Sequence, residues 1–181
     1  MTLTPTTRQF ILHWGEMGTR WGVNRTVAQV NALLYLSPEP LTAEDIADTL
    51  AVARSNVSTS LKELQNWNLV HIDSRIGDRR DFFHTSSDVW QLFLTVVEQR
   101  VEREILPTLT MLQRCAAEAR TERPPQPLVT ARIIAMQQFM EELHGWYTQV
   151  KKLPPDTLRS LIRFGGGITR FLPKPKRRRL D

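Results

Sequence analysis

At 181 residues, 41% hydrophobic and 24% charged, the chain is long enough for one sizeable domain or for a small domain with a helical extension. Its single cysteine excludes an internal disulfide framework and fits a reducing compartment, and no stretch approaches the roughly 18 uninterrupted apolar residues of a membrane span. The net charge of +5 is accounted for by the last twelve residues alone, where Arg170, Lys174, Lys176, Arg177, Arg178 and Arg179 face only Asp181, so the rest of the chain is electrically balanced.

Residues Met1 to Thr7 contain no basic start followed by an apolar run, so no secretory leader is expected, and a soluble cytoplasmic, nucleoid-associated protein is. The first helical pattern follows: Phe10, Trp14, Met17 and Trp21 alternate spacings of four and three and make one apolar stripe. Gly15 and Gly18 lie in the same helix. Each costs about 1 kcal/mol relative to alanine, so their presence predicts close approach of another backbone. After Gly22 the alternation resumes with Val23, Val27, Val30 and Leu34, until Ser37-Pro38-Glu39-Pro40 ends it.

Leu41 to Thr85 reads as a helix-turn-helix followed by a two-stranded wing. Thr42 with Asp45 forms a capping-box-like start, and Ile46, Ala47 and Leu50 give a short apolar face. A turn at Ala51-Val52-Ala53 leads into a helix from Arg54 to Trp67 that buries Val57, Leu61 and Leu64. Its opposite face carries Ser55, Ser58, Thr59 and Lys62, with Arg54 and Asn56 at the leading end. Small hydroxyls, an amide and cations suit a major groove, where Asn pairs adenine and the Thr methyl meets thymine. Ser55, Asn56 and Thr59 are therefore the candidate base readers, and Arg54 and Lys62 the candidate phosphate contacts. Leu69–Asp73 and Asp81–Thr85 read as paired strands, joined by a tip of Gly77-Asp78-Arg79-Arg80, whose two arginines are assigned to the minor groove or its phosphates. Asp78 is either a turn residue or the group that orients Arg80. Between Thr42 and Ser86 acids outnumber cations, seven to five, so binding must rest on where the cations sit.

After the wing, Val89, Phe93, Val96, Val97, Val101 and Ile105 form a long stripe. Pro107 must kink or restart that helix, and Leu109 and Leu112 continue it toward Cys115. Glu122–Pro127 reads as a linker. Beyond it Val129, Ile133, Met136, Met140, Leu143, Tyr147 and Val150 hold a strict four-three alternation, a seam narrow enough to imply helix pairing. A short helix from Thr157 to Phe164, a flexible Gly165-Gly166-Gly167 joint and a basic tail complete the chain. The predicted fold is mainly α with a small β-hairpin wing: supporting helices over 1–40, the winged helix-turn-helix over 41–86, a long helical region over 87–122, C-terminal helices over 128–165 and a tail over 166–181. One recognition helix reads few base pairs, so the flanking helices are expected to pair two copies on an inverted-repeat operator in double-stranded DNA.

Several of these segments together resemble a known family. His13–Gly22, Asn24–Ala28, Leu34–Pro40, Ala53–Ser60, Gly77–Asp81 and Asp88–Trp90 are similar to the GbsR branch of the MarR-type winged-helix regulators. The resemblance implies a dimeric bacterial transcription regulator, usually a repressor, with a dimerisation region built from both chain ends and a quaternary ammonium inducer. Trp14, Trp21, Trp90, Trp146 and Tyr147 then invite an aromatic cage, with Trp14 and Trp21 the candidate ligand residues, although stripe spacing assigns Trp14, Trp21 and Tyr147 to packing as well. The wing departs from the MarR pattern, running Phe82-Phe83-His84-Thr85-Ser86 where a Leu-Thr pair is expected. The alternative function is a winged-helix protein-interaction module that binds no specific DNA.

No nucleophile–base pair, paired-carboxylate site or phosphate loop is visible, so no enzyme activity and no cofactor are expected. His13, His71, His84 and His144 are scattered. His71 and His84 face one another across the wing without acid or cysteine partners, a poor metal site, and Cys115 is expected to be a buried, inert thiol.

Overall fold

The computed structural model describes residues 3–168 and divides into two compact units, residues 1–100 and residues 101–181. In the first unit, Thr4 caps α1 (Pro5–Arg20) by accepting the Thr7 N–H, and Asn24 caps α2 (Arg25–Leu36) by accepting the Thr26 N–H at 2.8 Å. The two glycines of α1 do what their cost implied. A Cβ on Gly18 would run into the Cβ of Ala28, and one on Gly15 would lie 2.7 Å from Cγ of Gln29, so only glycine lets α1 lie this close to α2.

Thr42 and Asp45 form the full capping box at the start of α3 (Ala43–Leu50): the Asp45 N–H donates to Thr42 Oγ1, and the Thr42 N–H donates to Asp45 Oδ2 at 3.0 Å. Ala51, in the left-handed conformation at φ 53°, reverses the chain into α4 (Arg54–Asn66). Val57, Leu61 and Leu64 of α4 are buried, joining Ile11, Val30, Leu33 and Ile46 in one core. Strands β2 (His71–Ser74) and β3 (Asp81–His84) form the wing, with His71 opposite His84 and Ile72 opposite Phe83. A third strand, β1 (Leu41–Thr42), pairs with β3 and makes the sheet order β1-β3-β2. A two-residue strand is too short to show a period, so the sequence disclosed only the hairpin. α5 (Val89–Arg100) lays Leu92 and Val96 on the core.

The second unit opens with a π-helical turn, Val101–Ile105, which precedes α6 (Leu106–Thr121). Pro107 sits in the first turn of α6, directly after the π-helical turn, where the hydrogen-bond register of the helix changes. The unit boundary falls inside the expected 87–122 segment, at the junction of α5 and the π-helical turn. α7 (Pro127–Val150) pairs with α6: Thr130 Oγ1 donates to the Ala119 carbonyl at 3.2 Å, and Gln113 Nε2 to Glu141 Oε1 at 3.1 Å. No residue of this 24-residue helix is buried. α8 (Pro155–Ile168) is longer than the helix read from sequence and runs through Gly165–Gly167, which replaces the expected joint. Glycine keeps its N–H, so helical hydrogen bonding continues through it at about 1 kcal/mol per residue. The basic residues from Arg170 onward lie outside the described residues.

Candidate nucleic-acid interface

On α4, three buried residues fix the rotation of the helix and leave the opposite side to solvent. Arg54, Ser55, Asn56, Ser58, Thr59 and Lys62 are all exposed, while Ser60, between them in sequence, is buried with Val57, Leu61 and Leu64. The face read from sequence is thus a single open surface. Thr59 Oγ1 donates back to the Ser55 carbonyl at 3.0 Å, which commits its proton and leaves the methyl as the group free to meet a base edge. No side chain caps α4 at Ala53, in contrast to the sealed capping box of α3.

At the wing tip, Gly77 takes φ +84° and the Asp78 N–H closes a turn on the Arg75 carbonyl at 3.1 Å. Asp78 does more than turn the chain. It accepts from Arg80 through Nε at 3.0 and 3.2 Å and through Nη2 at 2.7 Å, as well as from the Arg80 N–H at 3.0 Å. The Arg80 side chain beside it holds the Asp78 carboxyl down at about 2, with help from the backbone bond. Arg80 is correspondingly raised, mainly by Asp78. Arg79 is exposed beside this pair.

One cation was missed. Arg75 lies with its guanidinium 3.9 Å from the centroid of Phe82, and Arg80 lies 5.5 Å from the same ring, which is itself buried. Phe82 stands where the family pattern lost its Leu-Thr pair, and that departure was the available signal: an aromatic flanked in sequence by arginines is a platform for them. His71 and His84 do face one another, 5.6 Å between ring centroids, and His84 Nδ1 lies 3.2 Å from Asp73 Oδ2. Among the described residues no three His, Cys, Asp or Glu are placed to share a metal ion, and no helix is long and apolar enough to cross a membrane.

Trp14 and Trp21 meet edge to face, 6.4 Å between centroids, and Phe10 stacks on Trp14 at 5.5 Å. All three are exposed to solvent, and the buried face of α1 is Ile11, Gly15 and Gly18 instead, so the aromatic stripe is not the core-facing side of the helix. Small residues won that side because α2 lies too near for indole rings. Trp90 contacts Phe93 edge to face on α5, and Trp146 and Tyr147 belong to α7 of the second unit. Cys115 is partly exposed rather than buried, with Sγ 3.6 Å from Met111 Sδ.

The sequence profile of the MarR family matches residues 21–81, a span that runs from the end of α1 through α2, α3, α4 and β2 to the first residue of β3. This segment is a MarR-type winged helix. Over most of its length the chain is GbsR-like at low identity. It is 21% identical over 156 residues to the HTH-type transcriptional repressor GbsR of Bacillus subtilis, covering 84% of this chain and 83% of that protein. It is 20% identical over 158 residues to the repressor OpcR of the same organism, covering 86% and 83%. The fold also matches the crystal structure of a transcriptional regulator at 19% identity and a TM-score of 0.63, covering 81% of this chain and 96% of that one. In the MarR-type winged helix, α3 and α4 are the helix-turn-helix, and β2 and β3 are the wing.

Proposed function

We propose that this DNA-binding transcription regulator of the MarR type acts as a homodimeric repressor that reads an inverted-repeat operator and is released by a small molecule. The observation that carries the reading is the split of α4 into a buried side, Val57, Leu61 and Leu64, and an open side of small polar and cationic residues. A helix so divided is held firmly by its protein and presents side chains of major-groove chemistry. Ser55, Asn56 and Thr59 are the base-edge set, with Ser58 on the same DNA-facing side; Arg54 and Lys62 hold phosphates; Arg79 and Arg80 engage the backbone or minor groove from the wing. Dimerisation is supported by α7, on which Leu128, Met136, Phe139 and Trp146 are each more than half exposed. The ligand reading, carried from the family with its quaternary ammonium inducer, draws on Trp14 and Trp21.

The test is retention of sheared source DNA by the purified protein at about 150 mM salt, a physiological ionic strength, followed by sequencing. Recovery of one inverted-repeat site, lost in Asn56→Ala, supports the proposal. Uniform, salt-sensitive recovery overturns it in favour of a protein-interaction module. Deleting residues 174–181 is expected to lower affinity and salt slope without changing the preferred site.

A further inference from the structure

The wing tip carries a side chain that the fold does not use. The Asp78 N–H closes on the Arg75 carbonyl, and Gly77, with φ +84°, is the third residue of that turn. Ile76 keeps a negative φ before it, which is the type II arrangement, and so stands at the apex. Its relative exposure is 109%, against 69% for Phe164, the next most exposed large hydrophobic among the described residues. Scattered apolar side chains are ordinary on a surface, but they rest part of their area on a neighbour. Ile76 rests none, so the core, the sheet and the turn gain nothing from it. A type II turn asks for glycine at its third position, and a polar residue at the apex would serve as well.

The surroundings of Ile76 define what receives it. Arg75 and Arg79 flank the apex, both exposed, while the one acid of the tip, Asp78, is taken up by Arg80. A stable protein partner needs about 800 Å² a side. Ser74, Gly77, Asp78 and Arg79 supply no apolar area of that kind beside Ile76. A nucleic-acid groove needs only what is there: cations at both edges to hold phosphates, and one branched apolar group between them. The minor groove is about 6 Å wide, and isoleucine is among the side chains that part base steps in it.

We propose that Ile76 enters the minor groove as an apolar wedge and makes binding depend on how easily the base step beneath the wing opens. The proposal rests on the DNA-reading role above and adds a second source of selectivity to α4. The α4 face reads base edges through hydrogen bonds; Ile76 forms none, so it reads only the cost of unstacking. Pyrimidine–purine steps such as TA and CA unstack at the least cost, so these are the steps it selects. Arg75 and Arg79 pull the other way, because a stiff A-tract has the narrow, strongly negative minor groove that arginine favours. One side chain decides between them.

The test uses the whole protein and the operator recovered by the selection above, in duplexes of about 30 bp with a dye at each end to report bending. Hydroxyl-radical protection locates the step beneath the wing, which is then made TA or placed within an A-tract. The wild type is expected to bind the TA duplex about fivefold tighter and to bend it by at least about 20°. In Ile76→Ser the bend is expected to be lost and the preference to turn toward the A-tract. Salt slope and melting temperature should hardly change there, since neither a charge nor a buried group is removed. Ile76→Leu keeps a wedge and should keep both bend and preference. Ile76→Lys separates the wedge from plain attraction: it is expected to steepen the salt slope and still lose the bend. A bend and a TA preference that survive in Ile76→Ser overturn the proposal, as does a wild type that shows neither. Those results leave the regulator reading standing, because the operator is still recovered. If no operator is recovered, that reading falls, and the wedge is judged on an alternating TA duplex against an A-tract duplex of equal length. A wild type that does not bend the alternating duplex, or bends it no more than Ile76→Ser does, overturns the wedge.

Discussion

Asp78 grips Arg80 two residues along the chain, its two carboxylate oxygens accepting from Nε and Nη2 with the shortest contact at 2.7 Å. The wing tip thus spends one of its two adjacent arginines on its own shape and leaves Arg79 outside that pair. The Asp78 carboxyl lies below its ordinary 3.8, at about 2, chiefly through the Arg80 side chain. A depressed carboxyl contributes fully above its unfolded value and loses that contribution as pH falls through its folded one. The Arg80 Nε–H resonance is therefore expected to stay put down to about pH 4, to lie about half-way to its free position at about pH 2 and to reach it only below that, and in Asp78→Asn to sit near the free position already at pH 7. A resonance that does not move in Asp78→Asn removes the clamp.

Asn56→Ala and Thr59→Ala are each expected to weaken operator binding by about 1–3 kcal/mol while sparing nonspecific DNA. Both side chains are exposed, so melting temperature serves as the control and should hardly change. Equal loss on both kinds of DNA refutes base reading.

Arg75 is held over Phe82 and points to a phosphate role that its sequence position did not reveal. Arg75→Ala is expected to reduce the slope of log affinity against log salt by about 1, as loss of one phosphate contact does. Phe82→Leu, which removes the platform but keeps the charge, should lower affinity with the slope retained. A slope unchanged in Arg75→Ala shows that Arg75 faces away from DNA.

Gly18→Ala places a methyl against the Cβ of Ala28, where α1 and α2 approach closely. Overpacking of this kind costs about 1–3 kcal/mol, measurable by urea unfolding. Ala28→Gly is expected to restore part of it, and a neutral Gly18→Ala means that the two helices separate freely.

Phe139→Asp with Trp146→Asp puts charges on the exposed face of α7. Sedimentation is expected to change from dimer to monomer, with operator affinity falling alongside. A dimer that survives both changes is held elsewhere.

The helix-turn-helix and wing were legible because each is specified locally. The Thr42–Asp45 box, the apolar spacing of Val57, Leu61 and Leu64, and the turn at Gly77 act within one or two turns of chain, so their chemistry is written in neighbouring letters. The candidate DNA-facing residues followed, since fixing the buried side of α4 fixes the other. β1 escaped because its two residues owe their conformation to β3, some forty positions away.

The sequence by itself determined the fold class, the rotation of α4 and the close approach at Gly15 and Gly18, since periodicity and the absence of a Cβ are properties of the letters. Only the tertiary structure decided which side of α1 is buried, which arginine Asp78 holds, that Phe82 carries Arg75, and that Trp14, Trp67 and Phe93 border one cavity. Helical spacing says which residues share a face but not which neighbour lies against it. An apolar stripe reads the same whether it meets a core, a second chain or an open cavity, and long-range packing chooses among them.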